Sequence, residues 1–276
     1  MSTPTTPNQI ETRAETPTRR DFVDALARGL RVIEAFSADR PEMTLSQVAR
    51  ATGASPASAR RALITLEELG FVRCVERRFS LTAKVLSLGG SYLDSMNLRT
   101  FVQPVLRELT DEVQHTCSIT VLDGTEVVYI AHAAAEQPAF ARHYVGARLP
   151  AHATSTGHVH LASLPAAERA AFLARAPFAR YTVNTPVTSD ELAVALDRVA
   201  STGHAVVRDT VEYGAAAIAV PITAPDGRVV AALNSSSSSS PDDSGSALLE
   251  RLPAMRAAVA RIEAALDRFP TLSRSA

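Results

Sequence analysis

Between Thr44 and Gly70 the chain carries the start and stop marks of two short helices in immediate succession, a pattern that few folds accept. Thr44 and Gln47 form a capping box, and Met43 is spaced to staple onto Val48 across the first turn. The helix they open ends at Gly53. Ser55 caps a second helix with Pro56 at its first position, where the missing N–H is no loss. Ala59, Ala62, Leu63, Leu66 and Leu69 form its inner face, and Gly70 stops it. A strand over 71–75, a turn at Glu76-Arg77-Arg78 and a return strand over 79–81 follow. Upstream, Asp21 caps a helix that repeats Phe22, Leu26, Leu30 and Ile33. Two tightly joined helices followed by a hairpin have the dimensions of a helix-turn-helix with a wing.

The chemistry lies on the outer face of the second helix. Ala57, Ser58 and Arg61 fall near its N-terminus, with Arg60 and Thr65 flanking them. Arg binds guanine O6 and N7 in two-point fashion, and Ser serves as donor or acceptor. The helix starts at Thr44 and Ser55 favour a phosphate. Arg77 and Arg78 at the wing tip are placed for backbone contact. Residues 19–84 hold 12 basic and 8 acidic side chains, a net of +4, so the rest must carry −5 for the chain to reach −1. A basic first domain beside an acidic second one is the footprint of a reader of double-stranded operator DNA with a separate regulatory module. An Arg pair on a helix face is more often a solvated surface. Here caps, glycine turn, basic wing and charge split agree.

Residues 1–18 are rich in Thr, Pro and Glu and are expected to be disordered. After the wing, Thr82 caps a long helix with Leu81 spaced to staple onto Leu86. Its stripe is Val85, Leu88, Tyr92 and Met96. A further amphipathic helix holds Leu98, Phe101, Val102, Val105, Leu106, Leu109 and Val113, with Pro104 in its first turn. The period then changes. Residues 117–122 and 126–130 flank Asp123-Gly124-Thr125 as a hairpin. Thr188 and Glu191 box another helix that ends at Gly203. Strand-like runs cover 204–207, 218–222 and 229–233, residues 235–240 read as a low-complexity loop, and an amphipathic helix through Leu248, Leu252, Val259, Ile262 and Leu266 closes the chain. The second half is a mixed α+β domain with antiparallel strands.

Composition sets outer limits. At 46% hydrophobic and 21% charged residues the chain is an ordinary globular one, and 276 residues suit two domains. No stretch is apolar enough to span a bilayer, and no basic leader precedes an apolar run, so a cytoplasmic location away from membranes is expected. Cys74 and Cys117 are too few for a disulfide framework or a four-thiolate zinc site. Both lie in apolar runs and are expected to be small buried hydrophobes.

Five segments carry a resemblance to a known family: "DFVDALARGLRVIEAF", "TLSQVARATGASPASARRALITLEELGFV", "FSLTAKVLSLGGSYL", "LPAHATSTGHVHLA" and "YGAAAIAVPITAPDGRVVAAL". The chain resembles the IclR-type transcriptional regulators, closest to the branch that controls protocatechuate, β-ketoadipate and 4-hydroxybenzoate catabolism. The resemblance implies an α+β protein with a tail at 1–18, a winged helix-turn-helix at 19–81, a linker helix at 82–97 and a GAF-like effector-binding domain at 98–270. It implies a homodimer or homotetramer, no catalysis, no cofactor and no metal. Its effector loop matches Thr154, Ser155, Gly157 and His158, and the neighbouring segment contributes Asp209, Glu212, Ala217 and Ile218. Hydroxyls and a helix N-terminus there suit a small aromatic acid held by Thr154, Ser155 and His158. Against the family pattern, His158 replaces the usual Arg or Lys, and Thr210 stands where an acidic residue is common.

Two other functions compete. One is an enzyme with an accessory DNA-binding domain, using His152, His158 and His160, or Cys117 with His115 two residues away. The chain has no G-x-S-x-G, H-E-x-x-H or phosphate loop to support it. The other is a constitutive DNA binder whose second domain only oligomerises.

Overall fold

The computed structural model describes residues 22–95, 98–135, 144–239 and 246–266. The tail at 1–18, the Asp21 cap and Met96 lie outside the described residues. The chain divides into two compact units, Met1–Leu88 and Gly89–Ala276.

The first unit contains α1 (Asp24–Glu34), β1 (Glu42–Thr44), α2 (Leu45–Thr52), α3 (Pro56–Glu68), β2 (Val72–Val75) and β3 (Arg78–Leu81). The Thr44 box closes α2, with Thr44 N donating to Gln47 Oε1 at 2.8 Å and Gln47 N to Thr44 Oγ1 at 3.4 Å. Gly53 ends α2 at φ +64°, a conformation that favours glycine. Ser55 caps α3 by accepting from Ser58 N. Val32, Met43, Val48, Ala49, Ala59, Leu63, Leu66 and Val72 form the core that holds α1, α2 and α3 together. The three strands pair antiparallel in the order β1-β3-β2. The short β1 carries no pattern of its own and exists because β3 pairs with it.

Several local expectations need correction. Arg78 belongs to β3 opposite Val75, and the wing turn is Glu76-Arg77, both with positive φ. Cys74 is exposed, because the outer part of β2 runs beyond the helical core and leaves Val75 uncovered too. Thr82 caps a 3₁₀ turn, Ala83–Val85, before α4 (Leu86–Ser95) begins. That tighter turn shifts the helix phase, so Leu86 is exposed and does not staple onto Leu81.

The second unit is built on one antiparallel sheet of β4 (Thr116–Asp123), β5 (Glu126–Ala133), β6 (Arg148–Pro150), β7 (Ala205–Arg208), β8 (Ala215–Thr223) and β9 (Val229–Ser238). The strand order is β6-β5-β4-β9-β8-β7. Its helices are α5 (Gln103–Val113), α6 (Ser155–Ala162), α7 (Ala166–Leu173), α8 (Ser189–Thr202), α9 (Ser246–Leu249) and α10 (Leu252–Leu266). Pro104 sits in the first turn of α5, where it costs no hydrogen bond. Thr188 and Glu191 box the start of α8. On one sheet face Cys117, Ile119, Ile218 and Leu233 pack with Leu106 and Leu109 of α5 and Met255 and Ile262 of α10. On the other, Val127 and Tyr129 pack with Leu161 of α6 and Leu192 and Leu196 of α8, while Val159 packs with Ala219 and Ala232.

The serine run is a correction of consequence. Ser235–Ser238 is strand, not loop: the residues pair with Ala215–Ile218 on one side, and Ser235 and Ser236 pair with Cys117 and Thr116 on the other. Ser235 and Ser237 accept from Arg251 at 3.2 and 3.0 Å. Neighbouring strands override the weak strand preference of Ser.

Candidate DNA interface and effector pocket

The second helix of the pair presents a polar face beside an apolar one. Ser55, Ala57, Arg60, Arg61 and Thr65 are exposed, whereas Ala59, Leu63 and Leu66 are buried. Arg77 and Arg78 are exposed on the wing. Thr44 is half-buried and its hydroxyl is committed to the α2 cap. Ser58 is the exception. It is buried, and its hydroxyl accepts from Arg28 Nη1 of α1 at 3.2 Å, so it joins two helices and does not face outward. Ile64 is 45% exposed among the polar residues of this helix. Sequence reasoning passed over it, although it lies three residues beyond Arg61 and offers an apolar contact of the kind a thymine methyl takes.

In the second unit a cavity of about 60 Å³ opens on the sheet face under α6. Its walls come from Tyr129, Leu149, Ala153, Val207, Val211 and Ala215–Ala217, and its polar groups from Thr154, Ser155, Thr210, Glu212, Asn234 and Ser236. Thr154 caps α6, accepting from Gly157 N at 3.1 Å. The amides of Ser155 and Thr156 open that helix, where no intrahelical acceptor exists. Of the residues expected to bind an effector, Thr154, Ser155, Glu212 and Ala217 line this cavity.

Four others are placed elsewhere, each for a physical reason. The His158 ring is buried and its Nε2 bonds the His152 carbonyl at 2.7 Å. Burial pushes its pKa down to about 4, so it has no charge to offer an acid. Gly157 makes room for the chain itself: a Cβ there would sit 2.0 Å from the Ala151 carbonyl oxygen. Asp209 turns its carboxylate to its own loop, accepting from Gly214 N at 2.7 Å and Ser239 Oγ at 2.9 Å. Ile218 faces the opposite side of the sheet, in the core beneath α10, because successive strand residues alternate faces. Sequence reasoning missed Asn234 and Ser236. The signal was present, since Asn234 is the one amide in an otherwise apolar and small-residue run.

The histidines of the competing enzyme reading do not converge. His152 Nε2 meets the Ala179 carbonyl at 2.9 Å, and His160 Nε2 meets the Thr120 carbonyl at 3.2 Å. Among the described residues no group of His, Cys, Asp and Glu has the arrangement of a metal site. Cys117 is buried, and burial pushes its thiol pKa up, away from a nucleophilic thiolate.

A winged helix-turn-helix in one chain with a pocketed sensory domain defines a ligand-responsive transcription factor. Comparison with known proteins gives the family. The IclR helix-turn-helix domain matches residues 25–75, and the bacterial transcriptional regulator IclR C-terminal domain matches residues 90–263. This chain therefore belongs to the IclR family. The p-hydroxybenzoate hydroxylase transcriptional activator of Acinetobacter baylyi is 37% identical over 219 residues, 78% of this chain and 81% of the relative. The solved RHA06195 regulator of Rhodococcus sp. RHA1 is 38% identical with a TM-score of 0.79, covering 90% of this chain and 99% of the other. The inducer-binding domain of the Acinetobacter PobR transcription factor, a double mutant in complex with 3-hydroxybenzoic acid, is 30% identical with a TM-score of 0.53, covering 58% of this chain and 94% of the other.

Proposed function

We propose that this regulator controls genes of aromatic-acid breakdown. Its α3 and wing read double-stranded operator DNA, and its second unit binds a small aromatic monoacid, with no catalysis. The observation that carries this reading is the cavity beneath α6. Its walls are apolar, and its neutral hydroxyls and amide stand beside a helix start, with no Lys or Arg among the described residues that line it. Apolar walls suit an aromatic ring, and a carboxylate finds donors in the opening amides of α6 and the Ser155 hydroxyl. Glu212 at the same cavity disfavours a second carboxylate. The two similarities to hydroxybenzoate-linked Acinetobacter proteins support the ligand class.

The working form is a homodimer or a homotetramer. Phe22, Leu26 and Leu30 recur at helical spacing along the start of the chain and are 59%, 63% and 47% exposed, which supports an α1 seam between copies. Isothermal titration across benzoates and aliphatic acids, paired with gel shifts on the DNA upstream of the coding region, tests the reading. Heat with an aromatic acid and a change in operator affinity are expected, because a ligand that alters DNA binding must favour one arrangement of the protein. No heat with any acid and no change in the shift would refute it.

A further inference from the structure

Among the described residues, Asn234 Oδ1 is the one side-chain atom of the cavity lining that is both fully buried and without a hydrogen-bond partner. The residue is 3% exposed. Its neighbours across the sheet are committed or apolar, and Ser236, two residues along β9, shares the cavity lining. Ser118, opposite it on β4, turns its hydroxyl to His132 Nδ1 at 3.0 Å. Ala219, opposite it on β8, has nothing to donate. Ser235 and Ser237, its neighbours along β9, serve Arg251. A buried acceptor left unpaired by the protein is costly, so such a group in the lining of a cavity marks where a ligand donor goes.

We infer that Asn234 selects effectors bearing a hydroxyl group, which donates to Asn234 Oδ1 while the carboxylate faces α6. The inference rests on the effector-pocket reading above. A carboxylate cannot satisfy Oδ1, because it brings a second acceptor to an acceptor. A hydroxyl donates to Oδ1, whereas a methoxy group, one carbon larger, has no hydrogen to give.

The test is isothermal titration of the full-length protein with benzoate, 3-hydroxybenzoate, 4-hydroxybenzoate and the two methoxybenzoates. In the wild type, at least one hydroxybenzoate should bind roughly 10- to 100-fold more tightly than benzoate and than its methoxy ether. Asn234→Leu, which keeps the branched outline without the amide, should bind benzoate and hydroxybenzoate alike. Asn234→Ser keeps a hydroxyl and guards against a Leu variant that does not fold, and it should retain a reduced hydroxyl preference. Equal wild-type affinity for hydroxylated and parent acids would overturn the role of Asn234 while leaving the acid pocket standing. So would an undiminished preference in Asn234→Leu. Silence from every acid would overturn the pocket reading and this inference with it.

Discussion

Thr210 donates its Oγ1 hydrogen to the Ala153 carbonyl at 2.6 Å, and its own carbonyl accepts from Thr185 Oγ1 at 2.7 Å. Thr210 and Ala153 both line the cavity, so this bond ties the loop after β7 to the turn that launches α6. Thr210→Val keeps the shape and leaves a buried carbonyl unpaired. Effector affinity should fall by about tenfold, the equivalent of about 1.4 kcal/mol. Titration with the best-binding acid checks it, and an unchanged affinity would separate the loop from the site.

Replacing Arg60 and Arg61 together with Ala should abolish specific operator binding and leave the melting of the second unit untouched. Both residues are exposed on α3, and neither supports the core. Competition gel shifts with operator and random duplex read the outcome. A double variant that still prefers the operator would remove α3 as the reading element.

Arg77→Ala with Arg78→Ala should weaken binding to every duplex alike. Each phosphate that goes without its arginine lowers the slope of log affinity against log salt by about 0.9, so the pair should lower it by about 1.8. A salt titration on random duplex measures this. An identical slope would show that the wing does not touch the backbone.

The legible parts of this protein are those written locally. The Thr44 box, Gly53, the Ser55-Pro56 start and the Thr188 box each satisfy their own helix end within four residues, so sequence spacing suffices to find them. The site was legible at Thr154 and Ser155 for the same reason, because a helix start is a local feature. Its remaining walls are set by pairing across the sheet. Whether Ala217 or Ile218 faces the cavity depends on register, and a one-residue slip exchanges them. Asn234 gains its meaning from Ser118 and Ala219 beside it, which lie on other strands. The serine run becomes a central strand because β4 and β8 stand on either side of it, and no propensity of Ser announces that.

Gly157→Ala should be among the most damaging small substitutions in the second unit. The added carbon would meet the Ala151 carbonyl oxygen at 2.0 Å and its Cα at 2.4 Å, both backbone atoms with little room to move. Overpacking of this kind costs about 1–3 kcal/mol. The turn carrying Ala153 and Thr154 must shift to relieve it, so effector affinity should fall along with the melting temperature. A variant that melts and binds like the wild type would mean that the turn is not tightly packed on α6.

Acid should weaken the second unit through two buried imidazoles. Burial pushes His158 and His160 down to about 4, against a value near 6.5 in the unfolded chain. Well above pH 6.5 both states hold the rings neutral and stability is unaffected. As pH falls from 6.5 toward 4 the unfolded chain takes up protons that the folded one refuses, so stability drops, and it levels off below 4. Between pH 6.5 and 5 the loss should be about 1.5 kcal/mol per histidine, since the slope approaches about 1.4 kcal/mol per pH unit once the unfolded ring is charged. The window lies above the midpoints of ordinary carboxylates, at about 3.9 to 4.3. Urea melts of the wild type and of His160→Gln, whose amide can still donate to the Thr120 carbonyl, measure it. The variant should lose the share carried by His160, about 1.5 kcal/mol between pH 6.5 and 5, while the other buried histidines keep theirs. A wild-type curve flat from pH 6.5 to 5, or a slope unchanged by His160→Gln, would show that these rings do not stay neutral in the fold.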